Sequence, residues 1–171
     1  MDGHRSSTFA AILAGFLDSF VIMRGEKADM MKGKLIHPEI MAALSLCGHG
    51  DKILIADGNY PLASKSGGAE KIYLGYTSGC PSVTDVLSVL VDVINFEMAE
   101  VMQPDDGAVA EIFQEFESTL EGVGLKGLSR SEFYDACCLP GVRLAISTGE
   151  QRTFANILLT IGVTKSVSPN I

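Results

Sequence analysis

The chain has 171 residues, 47% of them apolar and 20% charged, enough to bury a core of domain size and too apolar for wholesale disorder. Thirteen Lys and Arg against 21 Asp and Glu leave a net charge of −8, opposite in sign to a phosphate-binding surface, which argues against nucleic acid as a partner. Cys47, Cys80, Cys137 and Cys138 form neither a C-x-x-C pair nor a dense disulfide pattern, which predicts reduced thiols in a cytoplasmic protein.

Taken in chain order, the first apolar stretch is Thr8 to Met23, broken by Asp18. It falls short of the roughly 18 uninterrupted apolar residues of a spanning helix, so no membrane association is expected. Residues 1–30 read as an extension, either a targeting segment or an added amphipathic helix or frayed end, and residues 31–171 as the domain. Ile36-His37-Pro38-Glu39 opens a helix with Pro and Glu in its first turn and Ile40, Ala43, Leu44 and Cys47 on one face, stopped by Gly48. Lys52 to Ala56 (KILIA) is a short β-branched run between Asp51 and Asp57, the pattern of a buried strand. Gly58 to Gly68 follows as a surface loop. Its Ser64-Lys65-Ser66-Gly67-Gly68 lacks the order of a phosphate loop.

Ile72 to Tyr76 is a further strand, and Ser82 with Asp85 forms a capping box for a helix from Val83 to Val93. Phe96 to Met102 reads as a strand. Pro104-Asp105-Asp106 opens a long helix carrying Val109, Ile112, Phe113, Phe116 and Leu120 at helical spacing, ended by Gly122 and Gly124. Ser129 with Glu132 predicts a second capping box leading into Phe133 to Cys138, and Val142 to Ser147 and Asn156 to Ile161 are the last strands. Helices alternating with strands predict an α/β fold: a three-layer αβα single domain around a mostly parallel or mixed sheet.

Two segments carry the chemistry. In Gly48-His49-Gly50-Asp51, KILIA and Asp57-Gly58-Asn59, His49 is either a helix-end turn residue or a proton carrier near neutral pH, and Asp57 is either a cap or a carboxylate placed for a ligand at a strand's carboxyl end. The two reach one pocket only if the turn before the strand folds back. The second segment is Ser147-Thr148-Gly149-Glu150 through Asn156, whose amide offers a donor and an acceptor to hydroxyls. Arg130 presents a fork of donors ahead of the Phe133 helix. Three scattered histidines without a Cys cluster predict no metal site.

The blocks GHGDKILIADGNYP, GCPSVTDVLSVL, SRSEFYDA and STGEQRTFANILLTIGV, in that order between Met31 and Lys165, resemble the L-fucose mutarotase and D-ribose pyranase (RbsD/FucU) family. The resemblance implies an isomerase that interconverts anomers or ring forms of a free monosaccharide without a cofactor, and a homo-oligomer with sites near subunit contacts. It implies His49 and Asp57 as catalytic residues, and Asp57, Arg130, Phe154, Ala155 and Asn156 as substrate-binding ones. Arg130 with Phe133-Tyr134 matches the fucose branch, and Ala155 the ribose branch. Phe154 stands where the family carries tyrosine, a lost hydroxyl for which Tyr134 or Tyr60 would compensate. That change keeps a second reading open, a non-catalytic monosaccharide-binding or transport-associated protein of the same fold.

Overall fold

The computed structural model describes residues 33–164; the reading of residues 1–30 as an extension lies outside the described residues. Its elements run α1 (Pro38–Ser45), β1 (Lys52–Ala56), β2 (Glu70–Tyr73), α2 (Val83–Leu90), β3 (Phe96–Met102), α3 (Ile112–Leu120), β4 (Leu125–Leu128), α4 (Arg130–Cys137), β5 (Val142–Ser147) and β6 (Ile157–Ile161). The six strands form one sheet in the order β2-β5-β1-β6-β3-β4. β1, β2 and β5 pair in parallel, as do β3 and β4, while β6 runs antiparallel to both its neighbours, β1 and β3.

The mixed sheet has three layers because its central strands bury both faces. Along β6, Ile157, Leu159 and Ile161 join Ile53, Ile55, Leu144 and Ile146 beneath α1, α2 and α3. The intervening Leu158 joins Leu54, Ala56 and Ala145 beneath Phe133 and Cys137 of α4. Such strands read as continuous apolar runs in place of alternation, which is why KILIA and VRLAIS were legible at their full length.

The helix caps explain most of the boundaries. In α1, Pro38 sits in the first turn and the His37 ring accepts a hydrogen bond from the Ile40 amide, so His37 is a cap. Both capping boxes form, Ser82 with Asp85 and Ser129 with Glu132. α2 ends at Leu90 and leaves Val93 49% exposed. The helix expected from Pro104 begins only at Ile112. Gly107 takes φ +76°, and the Ala108 amide donates to the Asp106 carboxylate at 3.0 Å, so an Asp-Gly turn takes the place of the first helical turns and Val109 faces solvent. β4 was not anticipated: it is a four-residue edge strand, Leu-Lys-Gly-Leu, too short for a period of two to register. The predicted surface loop after β1 is also corrected. Tyr60, Leu62 and Ser66 are buried within it, and its apolar residues share the outer layer with α4 because one eight-residue helix is too small to cover that sheet face.

Among the described residues no helix is long and apolar enough to cross a membrane. All four cysteines are free thiols.

Candidate active site

The topology brings several chain segments to one edge of the sheet. β1, β3 and β4 run parallel, so Asp57 directly after β1, Met102 at the end of β3 and Arg130 just beyond β4 emerge together. β6 runs the opposite way, and its beginning, preceded by Phe154 and Asn156, arrives at the same edge. Ligands in open α/β sheets gather at the carboxyl ends of the parallel strands. Here that edge holds a cavity of about 160 Å³ walled by Asp57, Tyr60, Met102, Arg130, Phe154 and Asn156, with Asn59, Tyr134 and Thr153 around them. A cavity of roughly 150 Å³ takes one benzene ring. The space therefore suits one six-membered ring.

At its floor, Asp57 is 3% exposed. Its carboxylate accepts from the Asn59 amide and from Asn156 Nδ2, each at 2.9 Å, while its own backbone N–H donates to Asn156 Oδ1 at 2.9 Å. Asn156 is thereby locked in orientation, since an N–H must meet its oxygen and a carboxylate must meet its nitrogen. Burial raises the Asp57 carboxyl above the ordinary carboxylate range, although the Asn59 and Asn156 hydrogen bonds pull the other way. Such a group takes up a proton more readily than a surface carboxylate.

The segment before β6 is held at both ends. Glu150, 5% exposed, receives Arg152 through Nε at 3.1 Å and Nη2 at 2.8 Å, and accepts the Gln151 and Arg152 amides at 3.0 Å. The Gly58 amide donates to the Glu150 carbonyl at 2.8 Å, tying this turn to the one that carries Asp57. Between the Glu150–Arg152 clamp and the Asn156 anchor, Phe154 adopts φ +61°. A bulky residue in that left-handed region carries about 1–3 kcal/mol of strain. The distortion places the Phe154 ring in the cavity with the Arg130 guanidinium 5.6 Å from its centroid. Arg130 also lies 3.8 Å from Asp105 and is half exposed, at the mouth of the cavity.

The clamp has a measurable pH signature. Arg152 holds the Glu150 carboxyl at about 2, against an ordinary value of 4.5, despite burial. A depressed carboxylate stabilises the fold above its unfolded pKa and loses that contribution as pH falls through its folded one. Wild type is expected to exceed Glu150→Gln by about 2 kcal/mol above pH 5, a figure discounted for the partly exposed Arg152. The two denaturation curves should converge as pH falls from 4.5 toward about 2; a gap independent of pH would contradict the clamp.

Not every expected site residue reaches this cavity. Ala155 is fully buried and packs on the three-helix side of the sheet, so its side chain points away. Tyr60 supplies a ring, but its hydroxyl donates to the Lys65 carbonyl at 2.7 Å, which commits it elsewhere. Tyr134 lines the cavity and packs edge-on to Tyr60 at 5.5 Å. His49 lies at the opposite edge. β1 separates it from Asp57, and five strand residues span about 16 Å. Its turn does not fold back: the Gly50 amide donates to the Ile161 carbonyl and the Ile161 amide to the Asp51 carbonyl, both at 2.9 Å, fixing the turn at the far end of β6. There His49 is more than half exposed, beside an open hollow of about 390 Å³.

Met102, Asn59 and Thr153 are cavity residues that the sequence reading did not single out. For Met102 the signal in the sequence is its place at the end of the Phe96–Met102 strand; Thr153 lies in the segment before Asn156, and Asn59 two positions after Asp57.

The sequence model of the RbsD / FucU transport protein family matches residues 30–164. The chain is 31% identical over 134 residues to a D-ribose pyranase of Bacillus cytotoxicus, covering 78% of this chain and 98% of the relative. It is 33% identical over 141 residues to one from Streptomyces avermitilis, with the same coverage of each. Among solved structures, Bacillus subtilis RbsD complexed with D-ribose superposes with a TM-score of 0.70 at 27% identity, covering 80% of this chain and all of that one. The fucose mutarotase of Streptococcus pneumoniae in complex with L-fucose gives 0.65 at 26%, covering 76% and 95%. With a matching sequence model over most of its length, near-complete coverage of its relatives and the same mixed α/β sheet, the chain belongs to the RbsD/FucU family.

Proposed function

We propose that this chain is a mutarotase interconverting the anomers of a free monosaccharide by acid/base ring opening, with L-fucose ahead of D-ribose as its substrate. The observation that carries the reading is the buried Asp57–Asn156 pair in a ring-sized cavity that Met102 and Phe154 also line. Sugar-bound relatives of both kinds share the fold.

The reaction needs only proton transfers from the protein, while the sugar's own C1–O5 bond opens and closes. As the anomeric hydroxyl gives its proton to a base, the C1–O5 electron pair leaves to the ring oxygen, which receives a proton from an acid; C1 becomes an aldehyde, rotates, and closes again by the reverse steps. The two side chains end as they began and the sugar differs only in its configuration at C1, with no change of oxidation state, so the chemistry calls for no metal or organic cofactor. Asp57, with its affinity for a proton raised by burial, serves as hydroxyl ligand and base. Asn156 keeps a second amide hydrogen for a sugar oxygen, and Arg130 reaches the ring hydroxyls from the mouth. Phe154 and Met102 offer a face to the apolar side of the ring and to the methyl of a 6-deoxy sugar.

His49 is the general acid/base in this reading, and it enters from a second copy. Within one chain it stands a strand's length from Asp57. A head-to-tail contact brings the His49 edge of one copy to the Asp57 edge of the next, and closes into a ring where its rotation closes. The protein is thus a homo-oligomer whose site is incomplete in the monomer.

Phe154 favours a second reading, sugar binding without catalysis, since a hydroxyl is missing from the cavity wall and Tyr60 does not replace it. Saturation-transfer NMR on anomeric protons separates the two. Exchange of L-fucose or D-ribose faster with protein than with buffer supports the enzyme, with fucose the faster; binding with no acceleration of any aldose overturns it. Phe154→Tyr is expected to tighten sugar binding by about 2- to 10-fold, the worth of one hydrogen bond, read by titration.

A further inference from the structure

We infer that Glu97 is a positioning residue for His49: it holds the Nε2–H of the imidazole, and Nδ1 is the nitrogen that exchanges protons with the sugar. The inference rests on the role proposed for His49 and adds which nitrogen acts and what aims it.

Three independent features converge on Glu97. Both its carboxylate oxygens lie 3.1 Å from His49 Nε2. A carboxylate there accepts, so Nε2 carries the hydrogen, and in the neutral ring this leaves the lone pair on Nδ1. Second, Glu97 sits at a break in the β3–β6 register. Phe96 pairs with Ile161 and Met98 with Thr160, leaving Glu97 unpaired between them. A bulge of this kind re-aims one side chain and is over-represented beside active sites. Third, Gly162 lies alongside, where an added Cβ would come within 3.2 Å of Glu97 Cβ. A side chain there would crowd the stem of Glu97.

The turn that carries the imidazole is closed as well. The Gly48 amide donates to Asp51 Oδ2 at 2.8 Å, closing the turn that carries His49. A bulge, a bare glycine and a closed turn are more than a surface ion pair requires; they bring the Glu97 carboxylate to one nitrogen of the ring. The pair is half exposed in the single chain, as expected of groups that meet their substrate in a neighbour's cavity. With Nε2–H held by Glu97 in both protonation states, the proton passed to or from the sugar sits on Nδ1, and the carboxylate partners the imidazolium whenever it forms, the part an acidic residue plays behind a catalytic histidine elsewhere.

Two readouts test it. Glu97→Gln should lower kcat for anomeric exchange by about 10- to 100-fold with KM little changed, and Glu97→Asp should recover part of the loss. Nitrogen-15 NMR of His49 in the assembled wild-type protein should show the Nε2–H tautomer, and Glu97→Gln should mix it with the Nδ1–H form. A wild-type Nδ1–H tautomer overturns the proposal even if the variant fails to fold. If His49→Gln abolishes exchange while Glu97→Gln leaves kcat intact, this inference falls alone; if His49→Gln keeps full exchange, the role of His49 falls and this inference with it.

Discussion

Asp57→Asn is expected to reduce anomeric exchange by a factor of about 10² to 10⁴, the usual worth of one positioned acid/base, with a stability deficit that narrows as pH rises. The second half of that result follows from the site's electrostatics. Burial holds the Asp57 carboxyl above its ordinary value of 3.8, so its ionised form is disfavoured in the fold. A group whose folded pKa is raised contributes stability below its unfolded pKa and loses it as pH rises through the folded one. Asparagine escapes this pH dependence, but its amide nitrogen faces a donor, the Asn59 amide or Asn156 Nδ2, where a carboxylate oxygen accepts. The variant's deficit in melting temperature should therefore narrow as pH rises from 3.8 through the folded value. Activity of the wild type should fall on acidification through a limb above pH 3.8, because the base is lost there. A destabilised Asp57→Asn protein with near-normal exchange would assign Asp57 a structural cap's role instead.

Glu100→Ala is expected to cost about 3 kcal/mol of stability, or roughly 10 °C in melting temperature for a domain of this size. Glu100 is 4% exposed on β3. Lys52 of β1 reaches over the intervening β6 to bond it at 2.6 Å, and Lys126 of β4 bonds it at 3.1 Å from the other side. One carboxylate thus ties strands across four positions of the sheet. Burial alone would raise its pKa; the hydrogen bonds and charges of the two lysines outweigh that and lower it. Removing the carboxylate leaves the largely buried Lys52 ammonium without its partner, and breaking such a pair costs 3–5 kcal/mol, here about the low end because Lys126 is free to turn to water. The gap to wild type should be widest above pH 4.5 and shrink as acid protonates Glu100. Thermal unfolding across pH checks both statements.

Much of the molecule was legible where one local rule decided the outcome. KILIA and VRLAIS are strands because burial on both faces demands apolar β-branched runs. The two Ser-x-x-acid boxes start helices because the cap is a local hydrogen-bond exchange. Elements set by tertiary context were not legible. β4 exists because β3 offers it a partner, and α3 starts late because Asp106-Gly107 prefers a turn. At the cavity, Asp57, Arg130, Phe154 and Asn156 come together. His49 does not join them: it precedes β1 and Asp57 follows it, and whether the intervening turn folds back is decided by its pairing with β6, a segment remote in sequence. Glu97 was passed over for the same reason: the bulge that aims it is a property of pairing between strands remote in sequence.

The most direct test of the account mixes two inactive proteins. His49→Gln and Asp57→Asn, denatured and refolded together in equal amounts, are predicted to regain anomeric exchange at about a quarter of the wild-type rate, because random head-to-tail contacts pair an intact His49 with an intact Asp57 at one site in four. Exchange no greater than that of the two variants refolded apart would contradict a site shared between copies.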